Sequence, residues 1–384
     1  MTVSLFGFRV SDSEFPSFDV VVIGAGPAGA VAARELARRG HSVLLVDKAR
    51  FPRPKVCGCC INSAAITTLK RLGLGHVVAS GVPLRNVTIG SGARSASVNL
   101  PDGVSLSREA FDLALVREAV KAGAQLREGA VARIESTCPE YATVTVQDEQ
   151  PVRAKVVIVA TGLAGRETTP EAGSRIGAGV IVPADLVPVQ FRPGTIFMAT
   201  GRGGYVGLVR VEDGRLDVAA AFDVAFVKSR GGLGCAAASI LNEVGWPCVP
   251  GIADLPWKGT PALTRRANKL FGQRWFAIGD AAGYVEPFTG EGMAWAVASA
   301  AAVAPIAARA VQHWSDSLGR EWERAYRRVI GGRQRVCRIV SRVLRSPALT
   351  GTVVRALTAC PALARPVVWS LNRSSAPLSH GAHL

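Results

Sequence analysis

Residues 18–47 limit what this chain can fold into more than any other segment. "FDVVVI" (18–23) is a short apolar, β-branched run, the composition of a strand buried on both faces. "GAGPAG" follows, with Gly24, Gly26 and Gly29 in G-x-G-x-x-G spacing. "PAGAVAARELARRG" then carries apolar residues at helical spacing and stops at Gly40. A second strand, "SVLLVD", ends at Asp47. In this order each glycine has a task. Gly24 allows the tight turn, Gly26 the close approach of a pyrophosphate, and Gly29 the close packing of helix on strand. The helix start offers unpaired N–H groups and a partial positive charge to phosphate. Asp47 falls where a carboxylate takes ribose hydroxyls. Ala28 and Lys48, beside the glycines and the acid, complete the expected dinucleotide-binding set.

The chain has 384 residues, which suits two domains and an appendage. It is 48% hydrophobic and 19% charged, the balance of a globular protein. Its net charge is +16, yet aromatic content is low and no nucleic-acid motif is present, so no nucleic-acid partner is expected. An anionic cofactor or lipid surface suits the charge equally. The opening "MTVSLFGFRVSDSEF" has no basic stretch followed by an apolar run, which predicts a cytoplasmic chain whose eight cysteines are reduced. "GMAWAVASAAAVAPIAARAV" (292–311) has the length of a membrane span, but its alanines and Pro305 favour a buried core helix.

A second fingerprint lies at 275–300, "WFAIGDAAGYVEPFTGEGMAWAVASA". A strand turns at Gly279-Asp280, and a loop with Pro287, Gly290 and Gly292 leads into a helix at Met293. This segment resembles the second flavin fingerprint of the para-hydroxybenzoate hydroxylase and geranylgeranyl reductase superfamily. The resemblance runs through roughly residues 18–330. It implies FAD, with Asp280 on the ribityl chain and the Pro287–Gly292 loop along the pyrimidine edge of the flavin. It also implies that Cys57 and Gly58 of "FPRPKVCG" lie beside the isoalloxazine. Arg108, in an R-x-x-F-D helix start, would contact the cofactor, and Val131, on the strand "GAVARI", would touch adenine. Cys57 as a small packed hydrophobe is the alternative.

Departures narrow the expected chemistry. The A-D-G segment of the aromatic hydroxylases is here Ala160-Thr161-Gly162, without the acid. The aromatic Y-x-W-x-F-P signature of the archaeal reductases is replaced by "GYVGLV", where Gly207 and Val209 stand for large rings. The halogenase W-x-W-x-I-P motif is absent. "CGCC" (57–60) has no nearby fourth metal ligand. Tyr205 is the one phenol expected to face the pocket and, with Cys57, the candidate catalytic group. Glu286 and Glu291 read as exposed carboxylates at a helix start.

The expected fold is α/β: a Rossmann-like FAD-binding domain of glutathione reductase type, an antiparallel β-sheet substrate domain and a helical C-terminal tail. The FAD-binding parts are 17–83, 105–165 and 270–315. The substrate domain takes 84–104 and 166–269. Residues 316–384 form a basic helical region, punctuated by nine arginines from Arg320 to Arg345. That region is either a solvated helix packed on the core or a peripheral contact with an anionic membrane or carrier protein. The expected function is reduction of a carbon–carbon double bond in a lipophilic or aromatic small molecule. NAD(P)H or another external donor would supply electrons. Flavin-dependent hydroxylation and a flavin-holding electron relay are the alternatives.

Overall fold

The computed structural model describes residues 15–286, 288 and 290–372. The apolar run at 18–23 is the strand Ser17–Ile23 at the middle of a sheet. It pairs in parallel with Val43–Asp47 on one side and Val152–Val159 on the other. Gln125–Glu128 and Trp275–Ala277 extend the two flanks, also in parallel. The hairpin Ala132–Thr137/Ala142–Val146 adds to Val152–Val159 in antiparallel fashion. The strand order reverses at Ser17–Ile23, so a crevice opens at the carboxyl ends of it and Val152–Val159, where α/β sheets bind their ligands.

Helices cover this sheet. Pro27–Ala37 packs against the 21-residue helix Gly292–Gln312, whose alanines let the two approach closely. Gly292–Gln312 is long and apolar enough to cross a membrane, but 72% of its most apolar stretch is buried inside the protein. It is the core helix that its alanines and proline predicted.

The second sheet has eight strands. Its order is Lys258–Ala262, Ile176–Val182, Leu216–Phe222, Gly204–Arg210, Thr195–Gly201, Val82–Ser91, Arg94–Ser105 and Cys60–Ile61. All neighbours are antiparallel except Thr195–Gly201 with Val82–Ser91. The pairing of Cys60–Ile61 with Val104–Ser105 stitches the end of "CGCC" to the edge of this sheet. The segment after Asp47 therefore bridges the two halves of the molecule.

The C-terminal region is a run of helices: Asp316–Tyr326, a π-helical turn, Gly332–Val343, Pro347–Ala359 and Arg365–Asn372. Pro347–Ala359 lies on Arg94–Ser105 of the second sheet, and Arg365–Asn372 on Gly332–Val343. Val354 and Leu357 insert against Ala96 and Val98. Arg338 grips Glu171 with two hydrogen bonds, at 2.7 and 2.9 Å. The tail thus packs as a cover on the second sheet while its outer face stays exposed.

Candidate active site

The loop after Ser17–Ile23 has the geometry its glycines predict. Gly24 has φ +102°, and a Cβ there would lie 2.3 Å from the Ala160 carbonyl oxygen. A Cβ at Gly29 would lie 1.8 Å from the Gly24 oxygen. Gly26 differs: a Cβ there would meet only the Arg53 guanidinium, at 3.8 Å. Two glycines close the turn, and the third faces open space. The helix behind begins with Pro27 and has no side-chain cap, so its first N–H groups are left for a ligand. The Gly292–Gln312 helix is likewise uncapped by a side chain.

Asp47 accepts the Ala25 N–H at 2.7 Å on one oxygen and the Ala49 N–H at 2.8 Å on the other. Both oxygens are fixed, and each keeps lone-pair capacity for a ribose hydroxyl. Beside it sits a basic cluster that the motifs did not single out. Arg53 approaches Asp47 at 3.9 Å and Asp112 at 3.4 Å, and its buried Nε has no hydrogen-bond partner. Lys55 faces Arg108, Asp280 and Arg53; burial first, then the Arg108 charge, lowers its pKa. Arg108 is held by Asp112 in a two-bond fork, at 2.8 and 2.7 Å. An orphaned guanidinium N–H, a half-buried lysine and an open glycine fit a pyrophosphate. The FAD expected from sequence fits the residues present.

One cavity of about 530 Å³ runs from this cradle across the second sheet to the C-terminal helices. Gly26, Ala28, Cys57, Gly58, Arg108, Tyr205, Gly279, Asp280, Gly290, Gly292 and Met293 all line it. These residues come from segments far apart in sequence, and the fold brings them together. Gly24, Gly29 and Asp47 shape the loop from behind. Lys48 and Val131 are exposed and lie outside the lining. The strand expected at 129–134 starts only at Ala132, so Val131 falls in the preceding turn, where its carbonyl accepts the Gln147 N–H. Pro287 lies outside the described residues.

Cys57 sits in a buried polar group. A hydrogen bond from the Cys59 thiol, helped by the Arg108 guanidinium, pulls its pKa well down against the opposing effect of burial. Of the two thiols, Cys57 therefore ionises first. Asp217 faces the pair; burial, and then the Cys57 charge, pushes its pKa well up, and one of its oxygens is unpartnered. Across the cavity, Tyr205 packs edge-on against Phe288 at 5.1 Å, with the Arg175 guanidinium 5.8 Å from its ring. Burial, and then the Glu286 charge, holds its phenol well above the usual range. Arg175 pairs with Glu286 at 3.3 Å, both side chains almost wholly buried.

Two expectations are corrected here. Glu286 and Glu291 are buried, not exposed, because Arg175 and Asn62 partner them from distant segments. Tyr205 is not the only phenol on the cavity, since Tyr284 also lines it. Most of the tail arginines stay exposed, as a solvated face packed on the core requires, while Val340, Leu344 and Val354 of the same helices wall the cavity. Gly207 and Val209 do face the cavity, and Met198 partly fills the space beside Gly207.

The fold and this cradle define an FAD-binding flavoprotein. Comparison with known proteins agrees. Residues 19–198 match the model of a family described as lycopene cyclase protein. The menaquinone reductase of Mycobacterium tuberculosis is 34% identical over 154 residues, 38% of each chain. Digeranylgeranylglycerophospholipid reductase 2 of Methanopyrus kandleri is 28% identical over 77% of this chain and 78% of its own length. A geranylgeranyl bacteriochlorophyll reductase-like structure from Thermoplasma acidophilum shares the fold with a TM-score of 0.75, at 19% identity over 92% of this chain and 98% of that one. The chain thus shares the fold of the FAD-dependent flavoproteins, and over most of its length its sequence is similar to a digeranylgeranylglycerophospholipid reductase.

Proposed function

We propose that this protein reduces a carbon–carbon double bond in a lipophilic substrate, with NAD(P)H or another external donor as the electron source. The observation that carries this reading is the cavity. Away from the cradle its lining is mostly apolar, from Leu84, Val87 and Ile89 to Leu344, Val354 and Leu357, with Tyr205, Thr260 and Thr350 among the polar exceptions. Such a wall desolvates a hydrocarbon and offers few partners to a polar substrate. The relatives named menaquinone reductase and digeranylgeranylglycerophospholipid reductase support the same class.

When bound, FAD supplies the two-electron chemistry. Arg53, Lys55 and Arg108 would hold its phosphates and flavin end, and Asp47 its ribose. The chain's own task is the proton. Tyr205 stays protonated at neutral pH, faces the cavity and has Glu286 behind it to return a proton after turnover. Cys57, the more acidic thiol, is less suited to donate one and instead sets the charge beside Arg108.

The test is anaerobic. Protein loaded with FAD is reduced chemically and mixed with polyprenyl quinones and unsaturated isoprenoid lipids. A product two hydrogens heavier, with flavin reoxidised in step, supports the proposal. A product carrying an added oxygen, formed only in air, would assign hydroxylation instead. Slow reoxidation independent of any substrate would leave an electron relay.

A further inference from the structure

The outer end of the cavity has an unusual rim. Among the described residues, eleven large apolar side chains are exposed, and six of them fall between Ile339 and Trp369, on the last three helices and the short turn Pro361–Ala364. Scattered exposed apolar residues need no explanation, but a concentration does. Ile339, Val353, Leu363 and Val367 line the cavity while being 41–60% exposed. A side chain that does both stands at a mouth. Leu349 and Trp369, the latter 62% exposed, lie on the same helices.

Charge marks the same helices. Residues 332–372 contain seven arginines and no aspartate, glutamate or lysine. Arg333, Arg338 and Arg345 turn toward Glu291, Glu171 and the Asp223/Glu286 pair. Arg335, Arg342, Arg355 and Arg365 are exposed. Arg335, Ile339 and Arg342 follow i, i+4, i+7 spacing, and Arg365 and Trp369 follow i, i+4, so arginine and apolar side chains share helix faces. Arginines beside leucine, valine and tryptophan are the composition of a helix lying in a lipid interface.

We propose that this face docks on an anionic phospholipid bilayer, and that the cavity takes its ligand directly from the hydrocarbon phase through the mouth the face frames. The docking stands on the surface alone; the route of entry rests on the lipophilic-substrate reading above. A bilayer suits the face better than an acidic carrier protein. Its apolar residues ring an opening into an apolar chamber, and a carrier seated there would need its polar surface matched by more than arginine.

The test uses the full-length, FAD-loaded protein with vesicles of phosphatidylcholine, alone or mixed with phosphatidylglycerol. Sedimentation should favour the anionic vesicles by about tenfold or more at low salt, and high salt should reduce this preference. The pair Leu363→Ser and Trp369→Ser, both at exposed positions, should weaken binding at low and high salt alike. The set Arg335→Glu, Arg342→Glu, Arg355→Glu and Arg365→Glu should weaken it mainly at low salt. Lipids brominated in their acyl chains should quench tryptophan fluorescence in the wild type and much less in Trp369→Phe. Equal sedimentation with neutral and anionic vesicles, or none, overturns the proposal. So does quenching unchanged in Trp369→Phe, or capture by an acidic carrier protein without vesicle binding. Flavin absorbance is recorded for every variant, so docking and catalysis fail separately: vesicle binding without any reduced lipid leaves the docking intact and removes the proposed reaction.

Discussion

At the scale of single residues, the three glycines of the first loop have different reasons to be glycine, and the difference is measurable. Gly29 cannot carry a methyl group without moving the Gly24 carbonyl, which a Cβ would meet at 1.8 Å. Gly26 has φ −68° and ψ −177°, values any residue adopts, and nothing nearer than 3.8 Å. Gly26→Ala should therefore leave the stability of the FAD-free protein within about 1 kcal/mol, since the site is open and the backbone compatible. It should still weaken FAD binding, because the methyl occupies the space a pyrophosphate needs. Gly29→Ala should lower both, with a stability loss of about 1–3 kcal/mol from overpacking. Thermal melts with and without FAD, beside flavin titrations, separate the two. Equal loss of stability in both variants would mean that Gly26 serves the turn and not the ligand.

At the scale of elements, the Gly292–Gln312 helix shows what a sequence reveals and what it hides. Its existence, its burial and the loop before it were legible from the alanine-rich run and the glycines. The state of Glu291 was not. A carboxylate at a helix N-terminus gains about 0.3–1 kcal/mol from the dipole, which favours an exposed, ionised reading. Here burial wins: it raises the Glu291 pKa to about 7, although Arg333 at 4.0 Å pulls it down. The partner that accepts this burial is Asn62, whose amide donates to Glu291 at 2.6 Å from 229 residues away, a separation no local pattern reports. Arg53 and Lys55 were hidden for the same reason. Both lay in plain sight after Asp47, but only the fold sets them against Asp112 and Asp280. Glu291 also predicts a pH dependence. Its folded pKa exceeds the ordinary glutamate value of 4.5, so the folded state binds this proton more tightly. The ionised form costs nothing below about pH 4.5, increasingly more up to about 7, and the full amount above, about 2–4 kcal/mol. Glu291→Gln keeps an acceptor for Asn62 and removes the titration. It should match the wild type near pH 5 and exceed it by about 1–3 kcal/mol at pH 8, after allowing for the lost attraction to Arg333. Denaturant melts at the two pH values check this; a gain of equal size at both would show that Glu291 does not titrate in that window.

At the scale of the whole molecule, the cavity belongs to no single domain. The parallel sheet supplies its phosphate end, the second sheet its floor, and the C-terminal helices its far wall and mouth. The two fingerprints foretold the first of these, and the alternating strands of the second sheet were legible as a class. The third was not, because arginines dominate the reading of the tail while its apolar residues do the lining. On the proposed route of entry, this division of labour puts access at the last helices, remote from the flavin cradle. Val353 tests it. It lies on the Pro347–Ala359 helix, lines the cavity and is 43% exposed. A larger side chain there has solvent to turn into, so Val353→Trp should change stability by no more than about 0.5 kcal/mol and leave flavin content unchanged. It narrows the opening that a long apolar substrate must pass. The expected result is a drop of about tenfold in kcat/KM for a polyprenyl substrate, equivalent to about 1.4 kcal/mol at the transition state, with the loss mainly in KM. A short, water-soluble analogue carrying the same double bond should be turned over as by the wild type. Equal loss for both substrates would place Val353 in the packing around the reacting end, and no loss for either would mean that the ligand enters elsewhere.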